Sequence, residues 1–206
     1  MDAQFVFSLI VLLFSVVIHE VSHGYMALAF GDKTAEYEGR LTLNPIKHID
    51  PIGTIVFPLL SLILPGGFFF GWAKPVPYNP YNLRNRRWGE AAVALAGPLS
   101  NVVLALVFGL FIRLYLAPNG MFNGAAGVLC QVIVLVNLTL AVFNLVPIPP
   151  LDGSKILSAV LPRSFLNVRR QLESFGFIGV FIFLIFLWQF FAPLIPWLFT
   201  AFTGLS

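Results

Sequence analysis

The sequence predicts an all-α polytopic membrane protein with about four full transmembrane helices, a re-entrant hairpin and a short interfacial β segment. Three observations carry this expectation. Of the 206 residues, 58% are hydrophobic and only 10% are charged, whereas about a quarter of a soluble domain would be charged. Charge-free runs cover 5–18, 51–73, 91–112, 114–151 and 174–206, and several exceed the roughly 20 residues a helix needs to cross hydrocarbon. The 12 Lys and Arg against 9 Asp and Glu are too few and too scattered for a nucleic-acid surface, so no nucleic acid is expected and the lipid bilayer is the partner the composition requires.

Taken in order, the first span is about 5–30, FVFSLIVLLFSVVIHEVSHGYMALAF, stopped by Gly31-Asp32. It lacks the Lys/Arg-rich start of a signal peptide and holds His19, Glu20 and His23 where a cleavage site would fall, so it reads as retained structure. In the mixed-charge segment 31–50, AEYEGRLTLNP alternates like a short strand, ended by Asn44-Pro45. Residues 51–73 are apolar enough to span but are broken by Pro58 and Pro65-Gly66-Gly67. A loop at 74–88 leads to a span at about 89–116, a turn around Pro118-Asn119-Gly120, and a span at about 125–148 that ends in Pro147-Ile148-Pro149-Pro150. A short helix near 153–161, a basic stretch at 163–173 and a last span within 174–200 complete the chain. With no repeat, low-complexity tract or polar linker, residues 1–206 are expected to pack as one membrane domain with a core of about 5–160. Cys130 is the one cysteine, which excludes a disulfide framework and a cysteine-based metal site.

Topology follows from chemistry and, independently, from charge. If the polar cluster of the first span meets Asp152, beyond the 125–148 span, those two spans run parallel and 89–116 runs back between them. Residues 31–88 must then begin and end on one side, which makes 51–73 a re-entrant hairpin whose backbone protein must cover. Lys33, Arg40, Lys47, Lys74, Arg84, Arg86, Arg87, Lys155, Arg163, Arg169 and Arg170 fall on that side, and Arg113 alone falls on the other. The positive-inside rule makes the polar face cytoplasmic and the N-terminus external.

The chemistry centres on His19-Glu20-Val21-Ser22-His23, an H-E-x-x-H motif. At 3.6 residues per turn the two histidines stack on one helix face about 6 Å apart along the axis, close enough to share one ion. Glu20 projects beside that face, where it can reach a water without displacing a ligand. Burying ionisable groups in an apolar helix costs roughly 3 kcal/mol each, so three within five residues need a purpose. Catalytic zinc needs three protein ligands and water. Among candidates for the third, Cys130 lies mid-span, His48 sits on a surface loop, and Asp152 fits better. It follows a proline cluster that cannot continue a helix and precedes Gly153, which permits a sharp turn. Read alone, Asp152 serves equally as an N-cap for the 153–161 helix.

HEVSHG, LTLNPIKHIDPIGT, FGWAKPVP, ALAGPLSN and FNLVPIPPLDGSKIL, in this order, resemble the site-2 protease family of intramembrane zinc metalloproteases, particularly its small bacterial members without a periplasmic domain. The resemblance runs from about residue 10 to 160. It implies one zinc ion per chain held by His19, His23 and Asp152, with Glu20 as general base and Asn144, eight residues before Asp152, in the polar role of the motif's asparagine. It also implies an integral protein of a bacterial inner membrane that cleaves single-pass membrane substrates, unwound near the cytoplasmic face.

The chemistry agrees with that role. Glu20 would pass a proton from water to the leaving amine, and an amide donor such as Asn144 would steady the developing oxyanion, or else cap backbone freed by Pro147. Gly97-Pro98 and the small residues of 94–101 let that helix approach the histidine helix closely. Asn101 and Asn137 serve either as acceptors fixing a histidine tautomer or as plain packing residues. The strand-like 36–43 either pairs with an extended substrate or is only an interfacial hairpin. The competing function is a metal-ion or proton transporter using the same His/Glu/Asp cluster, which requires polar groups along a continuous path through the membrane.

Overall fold

The structure, a computed structural model, describes residues 3–56, 73–162 and 176–205. Its long helices are α1 (Ala3–Ala29), α3 (Arg86–Phe111, prolonged by a wider turn at Ile112–Leu116) and α4 (Ala125–Leu145). The shorter ones are α2 (Thr34–Tyr37), α5 (Asp152–Val160), α6 (Gly176–Phe186), α7 (Trp188–Phe191) and α8 (Leu194–Thr203). Three helices among the described residues are long and apolar enough to cross a membrane: Gln4–Ala29, Arg86–Leu116 and Ala125–Leu145. Their apolarity runs all round the cylinder, as lipid on one side and protein on the other require.

Helix α3 is the hub, packed against α1, α4 and α5. Side-chain contacts fix the directions. Along α1, His19 meets Asn101 and His23 meets Val93, so the chain runs forward on α1 while it runs backward on α3. Ser15 meets Asn137 and, one turn on, His19 meets Asp152 beyond the end of α4, so α1 and α4 are parallel. This is the arrangement expected from the need to bring Asp152 to the histidines.

Small residues set the spacing. A Cβ on Gly109 would lie 2.8 Å from Phe202 Cβ, so glycine there lets α8 press against α3. Ile195, Leu198, Phe199 and Phe202 of α8 then cover the buried Ala105, Ile112, Leu116, Cys130, Val134 and Leu138. Cys130 is thus a core side chain, as its mid-span position implied.

Three expectations change. The 36–43 segment is not a strand, and no strand occurs among the described residues. Asp32 accepts from the Thr34 backbone N–H (3.2 Å) and hydroxyl (2.6 Å) and so starts the helical turn of α2, while Gly39 at φ +60° turns the chain out of it. These local bonds outcompete an alternating pattern that has no partner strand. His48, expected on a surface loop, is buried, and its Nε2 donates to the Thr42 carbonyl at 2.9 Å. The expected last span, within 174–200, is α6, α7 and α8 rather than one rod, with the chain leaving helix at Leu187 and again at Ala192-Pro193. Pro193 has no N–H to continue α7, and Phe143, Phe183, Trp188 and Phe191 pack as an aromatic cluster across the first break. The re-entrant hairpin expected at 51–73 lies mostly outside the described residues, which include only its first turn, Pro51–Val56, and the basic stretch at 163–173 is likewise outside them.

Two polar anchors hold the loops around the bundle's end. Burial opposes ionisation of Asp32, but the Thr34 hydroxyl, the Asn82 amide and the N–H groups of Asn79 and Thr34 hold its carboxyl below the usual carboxylate range. It thereby fastens the 79–82 turn to the end of α1. Arg87, at the start of α3, donates to the carbonyls of Ala159 (2.6 Å) and Leu161 (3.0 Å) at the end of α5. That closes the unsatisfied C-terminus of α5 and fixes the helix that begins with Asp152.

Candidate active site

The site is built where α1, α3 and the α4–α5 connection meet. His19 and His23, one turn apart on α1, set their rings perpendicular at 4.6 Å between centroids. Each ring is held from behind. Nδ1–H of His19 donates to Asn101 Oδ1 at 2.6 Å, and Nδ1–H of His23 donates to the Val93 carbonyl at 2.6 Å. Asn101 is itself oriented, since its amide nitrogen donates to Asn137 Oδ1 at 2.9 Å and Asn137 donates to the Ser15 hydroxyl at 3.0 Å. Both asparagines are fully buried, so of the two readings open from sequence, the tautomer-fixing one applies directly to Asn101 and through it to Asn137.

With Nδ1 of each ring donating behind it, Nε2 is the atom each ring turns to the site, and in a neutral imidazole of that tautomer it carries a lone pair. Both Nε2 atoms face Asp152 Oδ2, each at 3.2 Å. Asp152 opens α5 with its side chain turned to the histidines, and no side chain caps that helix. Thus the N-cap reading does not hold. The carboxylate arrives there because the 147–150 cluster ends α4, and because a Cβ on Gly153 would collide with the Leu145 carbonyl, so only glycine lets α5 start so close to α4. Its other oxygen, Oδ1, lies 3.8 Å from Lys155 Nζ.

His19, His23 and Asp152 leave only 5%, 9% and 7% of their surfaces exposed, and one donor atom from each falls within 4.8 Å of the others. Three lone-pair donors meeting in a buried space repel unless a cation lies among them, so the donor set suits a metal ion. Gly97 makes the room: a Cβ there would sit 2.5 Å from His23 Nε2 and 2.6 Å from His19 Nε2.

Comparison with known proteins decides the family. The profile of Peptidase family M50, the site-2 protease family, matches residues 7–124 and 114–187. The chain belongs to peptidase family M50. It is similar to "Putative zinc metalloprotease YwhC" of Bacillus subtilis, 42% identical over 174 residues, which covers 82% of this chain and 75% of the relative. It is also similar to "Putative zinc metalloprotease Rip2" of Mycolicibacterium smegmatis, 33% identical over 197 residues, with 94% and 73% covered. "Zinc metalloprotease MJ0392" of Methanocaldococcus jannaschii is 31% identical over 158 residues, 76% of this chain and 35% of the relative. No solved structure matches the chain.

As an M50 member the chain is a metallopeptidase, and the remaining expected site residues can be placed against its cluster. Glu20 is half-buried beside the histidines in sequence, and its Oε2 accepts the Val76 N–H at 2.8 Å. Asn144 is half-buried near the end of α4, and its amide donates to the Leu140 carbonyl of its own helix at 3.0 Å. It makes no hydrogen bond to the His/Asp cluster among the described residues. Sequence reasoning missed the Val93 carbonyl, the Val76 N–H and the Lys155 ammonium. The first two are backbone groups without a residue-type signal, but Lys155 stands three residues after Asp152 on the same short helix, a spacing that pairs opposite charges.

Proposed function

We propose that this M50 peptidase is an intramembrane zinc endopeptidase that holds one zinc ion with His19, His23 and Asp152 and hydrolyses peptide bonds of single-pass membrane proteins near the cytoplasmic face of a bacterial inner membrane. The observation that carries the metal site is the convergence of two tautomer-fixed Nε2 atoms on Asp152 Oδ2 at 3.2 Å each. Zinc bonds of about 2.0–2.2 Å in a tetrahedron put ligand atoms roughly 3.3–3.6 Å apart, close to that spacing. Held by His19, His23 and Asp152, zinc would supply a water with a pKa lowered to about 7 and a Lewis acid for the scissile carbonyl. Glu20, its Oε2 held by Val76 N–H, takes the water's proton at Oε1 and passes it to the leaving amine. The Asn144 amide, now spent on Leu140, serves the carbonyl oxygen when its side chain turns towards the substrate.

The transporter reading finds no support in the bundle. Among the described residues the polar chain of His19, Asn101, Asn137 and Ser15 ends there, and one turn further along each helix lie Val11, Ala105 and Val134, all buried and apolar. A translocation path would continue.

Purified protein should contain about one zinc per chain and cleave candidate single-pass proteins in detergent or liposomes, and His23→Ala and Asp152→Ala should each lose most of the zinc. Full zinc content in both variants would refute the ligand set, and ion flux without cleavage in the wild type would favour transport. The cytoplasmic orientation rests on the 11-to-1 division of Lys and Arg. Single cysteines at Asp2 and Ser206, in a Cys130→Ala background, should react with an impermeant thiol reagent from outside, while one at Asn85 should not. Labelling of Asn85 from outside would reverse the assignment.

A further inference from the structure

The loop that reaches Glu20 is built unlike an ordinary connection. In Lys74-Pro75-Val76-Pro77 the two prolines have no N–H, fix their own φ and push the residue before each into extended backbone. Val76 therefore carries the sole N–H of the three residues 75–77, and that donor goes to Glu20 Oε2 at 2.8 Å. Val76 is buried. Its side chain is seated on Gly24, where a Cβ would fall 2.8 Å from Val76 Cγ1 and 2.5 Å from Leu41 Cδ2.

The backbone leading up to Val76 is tied as well. Lys74 N–H donates to the His48 carbonyl at 2.9 Å. The carbonyls of Lys74 and Pro75 both accept from Arg40 Nη2, at 2.8 and 3.2 Å. Arg40 is only 5% exposed, and burying a guanidinium is expensive. An arginine that served only as a topological anchor would reach for water and lipid headgroups. This one turns inward, to the two carbonyls immediately before the donor that meets Glu20.

We propose that Pro75-Val76-Pro77 is a rigid backbone donor that positions the Glu20 carboxylate for proton transfer, and that Arg40 is a positioning residue acting through it. The inference rests on Glu20 as general base. Holding Oε2 restricts the carboxylate's rotation and leaves Oε1 to the water, and a base displaced by about 1 Å loses on the order of 10²-fold in rate. A flexible loop with free N–H groups at 75 and 77 would offer competing donors and a moving one.

Two measurements test this. In metal-free full-length protein labelled with ¹⁵N-valine, the Val76 amide proton should resonate downfield and move upfield in Glu20→Ala, whatever the protein cleaves. An unmoved resonance overturns the contact. In zinc-loaded protein, replacing Val76 by its α-hydroxy acid deletes the N–H alone; kcat should fall about 10- to 100-fold, the range for a hydrogen bond to a charged group, with KM and zinc content unchanged. Arg40→Lys, which reaches one carbonyl rather than two, should lose less kcat with the same unchanged KM and zinc, and it carries the test where the ester form does not fold. Unchanged kcat in either variant overturns the positioning role. A wild type without peptidase activity refutes the function proposed above, and the amide resonance then decides the Val76–Glu20 contact by itself.

Discussion

Glu20→Gln should keep about one zinc per chain and lose peptide cleavage by roughly 10²–10⁴-fold, the usual loss when a general base is removed. The separation of the two effects comes from the geometry. The converging donors are His19 Nε2, His23 Nε2 and Asp152 Oδ2, so in the proposed site Glu20 is not a ligand. Gln has nearly the same shape, and its amide oxygen still accepts the Val76 N–H that Glu20 now takes at 2.8 Å, so the side chain keeps its place. What it cannot do is accept a proton. His23→Ala and Asp152→Ala should give the opposite pattern, because each deletes a proposed ligand. Inductively coupled plasma measurement of zinc, paired with cleavage of one substrate across the variants, separates these outcomes. Cleavage by Glu20→Gln at the wild-type rate would sink the mechanism, since no other ionisable group among the described residues is joined to this site except Lys155, which sits on Asp152 Oδ1 at 3.8 Å.

Much of this site was legible because its signals are local. Three ionisable residues in five at helical spacing have few other uses inside a membrane, and α1 carries His19 and His23 on one face as the spacing requires. Asp152 was legible through its neighbours, prolines that end α4 and a glycine that permits close approach. On the supposition that the histidines and Asp152 meet, the parallel course of α1 and α4 followed, and the bonds from Ser15 to Asn137 and from His19 to Asp152 agree with it. Asn101 and Asn137 were visible as buried polar residues, but only tertiary contact assigns Asn101 to His19 and Asn137 to Asn101.

The failures have a common physical cause. Residues 36–43 alternate as a strand does, yet a strand needs a partner edge. Here the Asp32 carboxylate and a left-handed Gly39 satisfy the chain locally instead. His48 read as a loop residue because its neighbours are polar; its burial comes from the loop's own fold, through Thr42. The 174–200 run is apolar enough for one helix, but apolarity does not report where aromatic packing and Pro193 divide it. Nor can a sequence show that the Arg40 guanidinium, which keeps its place in the charge count, faces two backbone carbonyls rather than water.

Gly97→Ala should lower zinc affinity by about 10- to 100-fold or more, the range seen when the support of metal ligands is disturbed, although it deletes no ligand and adds one methyl group. In a plain helix this exchange would stabilise by about 1 kcal/mol. Here the new Cβ would lie 2.5 Å from His23 Cε1 and Nε2 and 2.6 Å from His19 Nε2, distances at which something must move. The rings cannot swing aside cheaply, because Nδ1 of His23 is tied to the Val93 carbonyl and Nδ1 of His19 to Asn101, whose own amide is committed to Asn137. The remaining response is for α3 to back away from α1, which pulls Val93 and Asn101 off the histidines together and frees both tautomers. Overpacking alone costs about 1–3 kcal/mol and would appear in thermal unfolding of the metal-free protein. Gly89→Ala separates the two effects: its Cβ would meet Leu83 at 3.2 Å and Phe30 at 3.3 Å, on the same α3 face but away from the ligands. It should shift unfolding modestly and leave zinc affinity intact. Competitive chelator titration of both variants reads the difference, and an unchanged zinc affinity in Gly97→Ala would mean that α1 and α3 yield more easily than their buried hydrogen bonds imply.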